Sequence, residues 1–253
     1  NRWDSVQSLW LEYILNPVQV IEKDLFGMIE NLFNNESDYS LLSEMISLPS
    51  EQIIHQNVGK IDVEEVHNQR NQSILSVASA FKNQLLEMYH QLNTAKAFDL
   101  STQSIGERAL KNKCLSYLSK LGELDIAYQQ FINADCMTDQ FGAFQCLLDS
   151  KNQYRAKAIT QFYDQHQSDV QVVDKWFSAQ CLASVTSVED IRGLMKHKLF
   201  SMTNPNRIRS LIGSFSQNSM QFHCQEGYQL LTEIIIELDH LNPQIAARFA
   251  GIY

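Results

Sequence analysis

The sequence predicts an all-α fold, and three observations predict it. First, only nine glycines and four prolines occur in 253 residues. That is well under half the usual ~12%, and an all-β chain of this length needs more turn residues. Second, the four prolines (17, 49, 205 and 243) all fall where a helix would begin, and none interrupts an apolar period. Third, apolar residues recur at three- and four-residue steps along nearly the whole chain, with no strong strand candidate.

Taken in order, Trp3, Val6, Leu9, Trp10, Tyr13 and Ile14 give an amphipathic helix over 2–15. Asn16-Pro17 opens a second, carrying Val20, Ile21, Leu25, Met28, Ile29, Leu32 and Phe33, which Asn34-Asn35 ends. A short helix is expected at 39–48, and Pro49-Ser50 starts another that runs to about Gly59. Residues 62–92 make the longest helical pattern, with a polar run at 67–73 that marks an expected kink or exposed turn. Further helices are expected near 101–121, 123–134, 138–149, 151–165, 168–182, 187–198, 204–215, 226–240 and 242–250. Ser187, followed three residues on by Asp190, reads as another helix start. Asn204-Pro205 and Asn242-Pro243 pair a capping side chain with a residue that has no N–H to leave unsatisfied.

About fourteen short helices in series, joined by short loops, make neighbours antiparallel pairs. The expected architecture is an irregular armadillo- or HEAT-like array that curves into a superhelix with one concave face. No residue motif repeats at constant period, which argues against a strict tetratricopeptide or ankyrin array. No linker is long enough to divide the chain, so one domain over 1–253 is expected.

Net charge is −9, which argues against general binding of nucleic-acid backbones or anionic membranes. No apolar run approaches a membrane span, and the first residues lack a signal-peptide layout. Five cysteines (114, 136, 146, 181 and 224) with no Cys-x-x-Cys read as buried thiols in a reduced, cytoplasmic compartment. The chain starts without Met and stops inside an apolar run, which reads as a piece of a longer protein.

Two constellations bear on chemistry. Glu-x-x-His occurs three times, at Glu64/His67, Glu87/His90 and Glu237/His240. Paired copies on facing helices hold di-iron sites in ferritin-like bundles. The first two lie on one helical stretch, roughly 35 Å apart if it is straight, so solvated helix faces are the expectation and no metal site is assigned. The second constellation is electrostatic. From Ile191 through Gln225 there is no Asp or Glu, whereas Arg192, Lys196, Lys198, Arg207 and Arg209 are present with His197 and His223. Arg207 and Arg209 sit near a helix N-terminus, where the macrodipole disfavours cations. Either acids from the 226–240 helix or water compensate them, or they recognise an anion, since guanidinium binds a carboxylate bidentately.

The runs SMTNPNRIRSLIGSF (201–215), FHCQEGYQLL (222–231) and LNPQIAARFA (241–250) resemble the C-terminal helical domain of the aminopeptidase N family, the zinc alanyl aminopeptidases. Weaker matches run upstream: Asn1-Arg2-Trp3, SEMISLPS (43–50), ERALKNKCLSYL (107–118), MTDQFGAF (137–144) and DKWF (174–177). Where the family usually has Asp-Gly-x-Gly-Tyr, this chain has the shorter Glu226-Gly227-Tyr228. The family's zinc signature, His-Glu-x-x-His, is absent, because no two of the seven histidines are four apart. The resemblance implies that zinc and the catalytic base belong to a catalytic domain elsewhere in the same polypeptide, so this fragment holds no cofactor of its own. It further implies that this domain packs on the catalytic domain and walls a chamber that admits peptides. Arg207, Arg209, His223, Gln225 and Arg248 are the candidates for that wall or for a peptide's C-terminal carboxylate. The rival expectation is a free-standing helical scaffold that binds a protein partner through its concave face.

Overall fold

A computed structural model describes residues 2–60, 62–94 and 97–252. Asn1 of the Asn1-Arg2-Trp3 motif and the terminal Tyr253 lie outside the described residues. Among the described residues there are sixteen α-helices, one π-helical segment and no strand, so the all-α expectation holds. The chain divides into two compact units, Asn1–Cys146 and Leu147–Tyr253.

The first unit contains α1 (Arg2–Leu15), α2 (Gln19–Asn35), α3 (Tyr39–Met45), α4 (Glu51–Gln56), α5 (Val63–Ala80), α6 (Lys82–Leu92), α7 (Thr102–Lys120) and α8 (Leu124–Asn133). The boundary falls in the last turn of α9 (Met137–Leu148). Helix α7 is the centre of this unit. It packs on α3, α5, α6 and α8 and buries Leu110, Cys114, Leu115, Tyr117 and Leu118. Gly106 allows α3 to come close, because a Cβ there would lie 2.8–2.9 Å from the hydroxyl and amide of Ser40. The end of α3 leaves carbonyls without helical partners. Two buried aromatic donors meet them: the Trp10 indole N–H donates to Met45 O at 2.9 Å, and the Tyr117 hydroxyl donates to Ile46 O at 2.5 Å.

The expected kink at 67–73 does not occur. Those polar residues instead tie α5 to its neighbours: His67 Nδ1 lies 2.7 Å from Glu51, Asn71 lies 2.7 Å from His67 Nε2, and Arg70 Nε donates to Pro49 O at 2.8 Å. The helix breaks later, at Phe81, whose buried ring packs on Phe26 and Phe33 of α2. Packing of one aromatic against α2 thus coincides with the break, and periodicity alone does not mark it. The Asn16-Pro17 start is also displaced: α2 begins at Gln19, and its N-cap Val18 makes no side-chain bond.

The second unit contains α10 (Arg155–His166), α11 (Val170–Leu182), α12 (Val188–Met195), α13 (Pro205–Ile208), the π segment Arg209–Gly213, α14 (Ser219–Phe222), α15 (Gln225–Leu241) and α16 (Pro243–Ala250). Three predicted caps form here. Ser187 and Asp190 close a capping box, Asn204 accepts from the amides of Asn206 and Arg207, and Asn242 accepts from Ile245 N–H. The two helices beyond the expected fourteen are the divided 62–92 pattern and the four-residue α14. The helix expected over 204–215 winds through the π segment, a form often found at functional sites.

Candidate functional site

The acid-free stretch 191–225 runs from α12 to the first residue of α15, all within the second unit. Its cations have different fates. Arg192 pairs with Glu233 of α15 at 2.8 Å. That hydrogen bond is the main reason the guanidinium's pKa rises and the carboxyl's falls.

Arg207 leaves the surface altogether, with 5% of its area exposed. Its Nη1 lies 2.5 Å from Asp174 Oδ1 and also donates to Val170 O at 3.2 Å. Its Nε donates to Leu199 O at 3.0 Å, and the guanidinium sits 5.6 Å from the centre of the Phe177 ring. The expectation that Arg207 receives a peptide carboxylate is therefore corrected: the side chain is buried, with Nε and Nη1 committed to the connection before α13 and to α11. The compensating acid is Asp174, not one from the 226–240 helix. Ser210 adds to the same knot, its single hydroxyl proton shared between Asp174 Oδ1 at 3.2 Å and Arg207 O at 3.0 Å.

Arg209, two residues on, is exposed, and its Nη1 makes a long contact of 3.4 Å to Asn206 Oδ1. Arg248 is exposed in the last turn of α16, where the helix dipole favours a cation. A Cβ on Gly213, at the end of the π segment, would lie 3.8 Å from Phe249, next to Arg248. His223 and Tyr228 meet on the surface with Nδ1 and hydroxyl 2.7 Å apart, and both rings pack edge-on against buried Phe222. Gln225 is the exposed first residue of α15. The structure thus brings His223 together with Tyr228, places Gln225 in the adjoining turn, and leaves Arg209 and Arg248 as exposed cations of the set.

Glu226-Gly227-Tyr228 lies in the first turn of α15, and local geometry explains its glycine. A Cβ at Gly227 would sit 2.1 Å from Phe222 O, so only glycine fits. The amide of Gly227 donates to Cys224 Sγ at 3.3 Å, which makes Cys224 the cap of α15.

Among the described residues, no Glu-x-x-His copy belongs to a group whose spacing suits a metal. His67 is held by Glu51 and Asn71 instead of by Glu64. Among the described residues, the group whose spacing suits a metal is Asp135, Cys136 and Asp139, with ligand atoms within 4.8 Å of one another. None of the three copies contributes to it. Lys111 and Asn112 already occupy the Asp139 carboxylate at 2.6 and 2.8 Å, and burial pushes the Cys136 thiol up, toward its protonated form. This donor set fits an internal ion pair better than a cation.

Asp174 is the main residue that sequence reasoning missed. Its signal was present in the DKWF run, four residues after the helix start that carries it. A partner 33 positions from Arg207 has no periodic signature, however.

Comparison with known proteins agrees with this picture. A family model described as a domain of unknown function (DUF3458_C) with ARM repeats matches residues 1–252. Aminopeptidase N of Escherichia coli (strain K12) is 32% identical over 98% of this chain, and that of Haemophilus influenzae is 30% identical over 98%. The chain spans about 30% of the length of each of these relatives. A crystal structure of Legionella pneumophila aminopeptidase A in complex with aspartic acid superposes with a TM-score of 0.89 at 27% identity, covering 99% of this chain and 32% of that one. The chain belongs to the DUF3458_C family of ARM-repeat domains, and it is similar along its whole length to one part of larger aminopeptidases.

Proposed function

We propose that this chain is the C-terminal domain of a zinc-dependent aminopeptidase, which packs on the catalytic domain and walls the chamber where peptides lose their N-terminal residues. The observation that carries the reading is coverage. Similarity extends over 98% of this chain yet takes in only about 30% of each aminopeptidase N. The sequence has no His-Glu-x-x-His, so zinc and the general base belong to the catalytic domain, and this chain supplies surface and access control. No helix of the described residues is long and apolar enough to cross a membrane. Working in the cytoplasm is consistent with five cysteines that form no disulfide.

The chain's own contribution to substrate is electrostatic. Arg209 and Arg248 are exposed cations in a unit whose other arginines on this stretch, Arg192 and Arg207, are paired. With His223 and Gln225 they offer donors to the carboxylate of a peptide whose other end is being cleaved. Such a contact acts alike in ground and transition states, so it lowers KM and leaves kcat nearly unchanged. In the intact enzyme, Arg209→Ala with Arg248→Ala is expected to raise KM for a free tripeptide about three- to tenfold. KM for an uncharged alanyl reporter should stay the same. An equal loss on both substrates would overturn this role.

A further inference from the structure

His197 lies in the connection between α12 and α13, inside an aromatic cage. The ring centres of Tyr163 of α10, and of Trp176 and Phe177 of α11, stand 5.0, 5.1 and 5.6 Å from its own. The amide of Leu199 donates to its Nδ1 at 3.2 Å. That bond defines the ring's state: Nδ1 is an acceptor, so it carries no proton. The carbonyl of the same residue accepts from Arg207 Nε at 3.0 Å. The Leu199 residue is therefore gripped on both sides, by the imidazole through its N–H and by the buried Arg207 through its C=O.

The charged groups around the ring oppose a second proton. Lys198, on the same connection, lies 5.7 Å over the Tyr163 ring and, like Arg207 of α13, acts on the imidazole as a like charge. The carboxylate of α11 nearest this cluster, Asp174, is already bound to Arg207. Burial is the largest cause holding the imidazole's pKa below its usual value, and the two cations add to it. A proton on Nδ1 would set N–H against N–H, turning an attraction into a repulsion.

We propose that neutral His197 is a pH-sensitive clasp that holds the 196–204 connection, and that protonating it releases Leu199 and loosens the acceptor on which Arg207 depends. The clasp is closed near neutrality and opens in mild acid. Because folding disfavours the protonated ring, the stability it contributes is complete above the unfolded histidine's pKa. It is lost as pH falls from there through the lower folded value.

The test is NMR on the 253-residue chain between pH 7.5 and 5. The C–H shifts of the His197 ring and the protection factor of the Leu199 amide should change together, with a common midpoint below 6.5. Protection should fall at least tenfold. His197→Gln keeps an acceptor that does not titrate and should remove the pH response. His197→Phe keeps an aromatic ring without the acceptor and should leave Leu199 unprotected throughout. A midpoint at or above 6.5, Leu199 protection that ignores the ring's titration, or a pH response that survives in His197→Gln would each overturn the proposal. Should a variant fail to fold, the coincidence of the two wild-type titrations decides alone.

Discussion

Replacing Arg207 should damage the second unit far more than replacing Arg209, although the two are neighbours on one helix and carry the same charge. Arg207 has 6% of its side chain exposed, and its Asp174 partner 21%. Removing one partner of a buried pair leaves the other charge without compensation, at about 3–5 kcal/mol. Asp174 retains some water, so the lower end, about 3 kcal/mol, is the expectation for Arg207→Ala. That is roughly a hundredfold in the folding equilibrium, or about 2 M in the urea midpoint for a small unit. Arg209→Ala removes an exposed group with one long contact, and should stay within about 0.5 kcal/mol. Urea titration followed by tryptophan fluorescence reads this out, because Trp176 sits in the same unit and packs on the same Phe177 ring that Arg207 overlies. Adding Asp174→Leu to Arg207→Met should recover part of the loss, since an apolar pair leaves no stranded charge. Equal costs for Arg207→Ala and Arg209→Ala would refute the assignment of one as an internal tie and the other as a surface cation.

Gly227→Ala forces a methyl group onto Phe222 O, and should cost at least about 1–3 kcal/mol, measured as a lower midpoint for the second unit. Tyr117→Phe strands the buried carbonyl of Ile46, at about 1–3 kcal/mol, which thermal unfolding of the chain would show. The buried Cys114 thiol is pushed up to about 12 and that of Cys181 is raised further, both by loss of solvent. Iodoacetamide at pH 8 should therefore leave these two unlabelled in the native chain and modify them on denaturation, as mass spectrometry would reveal.

Much of the fold was legible because helix signals are local. The Asn-Pro pairs at 204 and 242 and the Ser187–Asp190 box needed only four residues each, and all three formed caps. The polar run at 67–73 was misread because its meaning is tertiary: His67 and Arg70 reach partners 16 and 21 positions away. Phe81 likewise looks like one more apolar position until α2 supplies Phe26 and Phe33. At the candidate site, the acid-free stretch was visible as composition. Which of its arginines stay free was not, because it depends on Asp174 and Glu233, which the fold brings in from other helices. The glycine at 227 was visible as part of the family pattern, and the approach of Phe222 O shows why no larger residue fits there.

The division of labour between this chain and a separate catalytic domain is tested most directly by turnover of an alanyl reporter, with zinc analysis of the same samples. The intact parent protein and the isolated 253-residue chain are compared at equal concentration. The account predicts that alanine release and stoichiometric zinc are found with the parent, and neither with the chain alone. Metal-dependent release of alanine by the pure chain would contradict it.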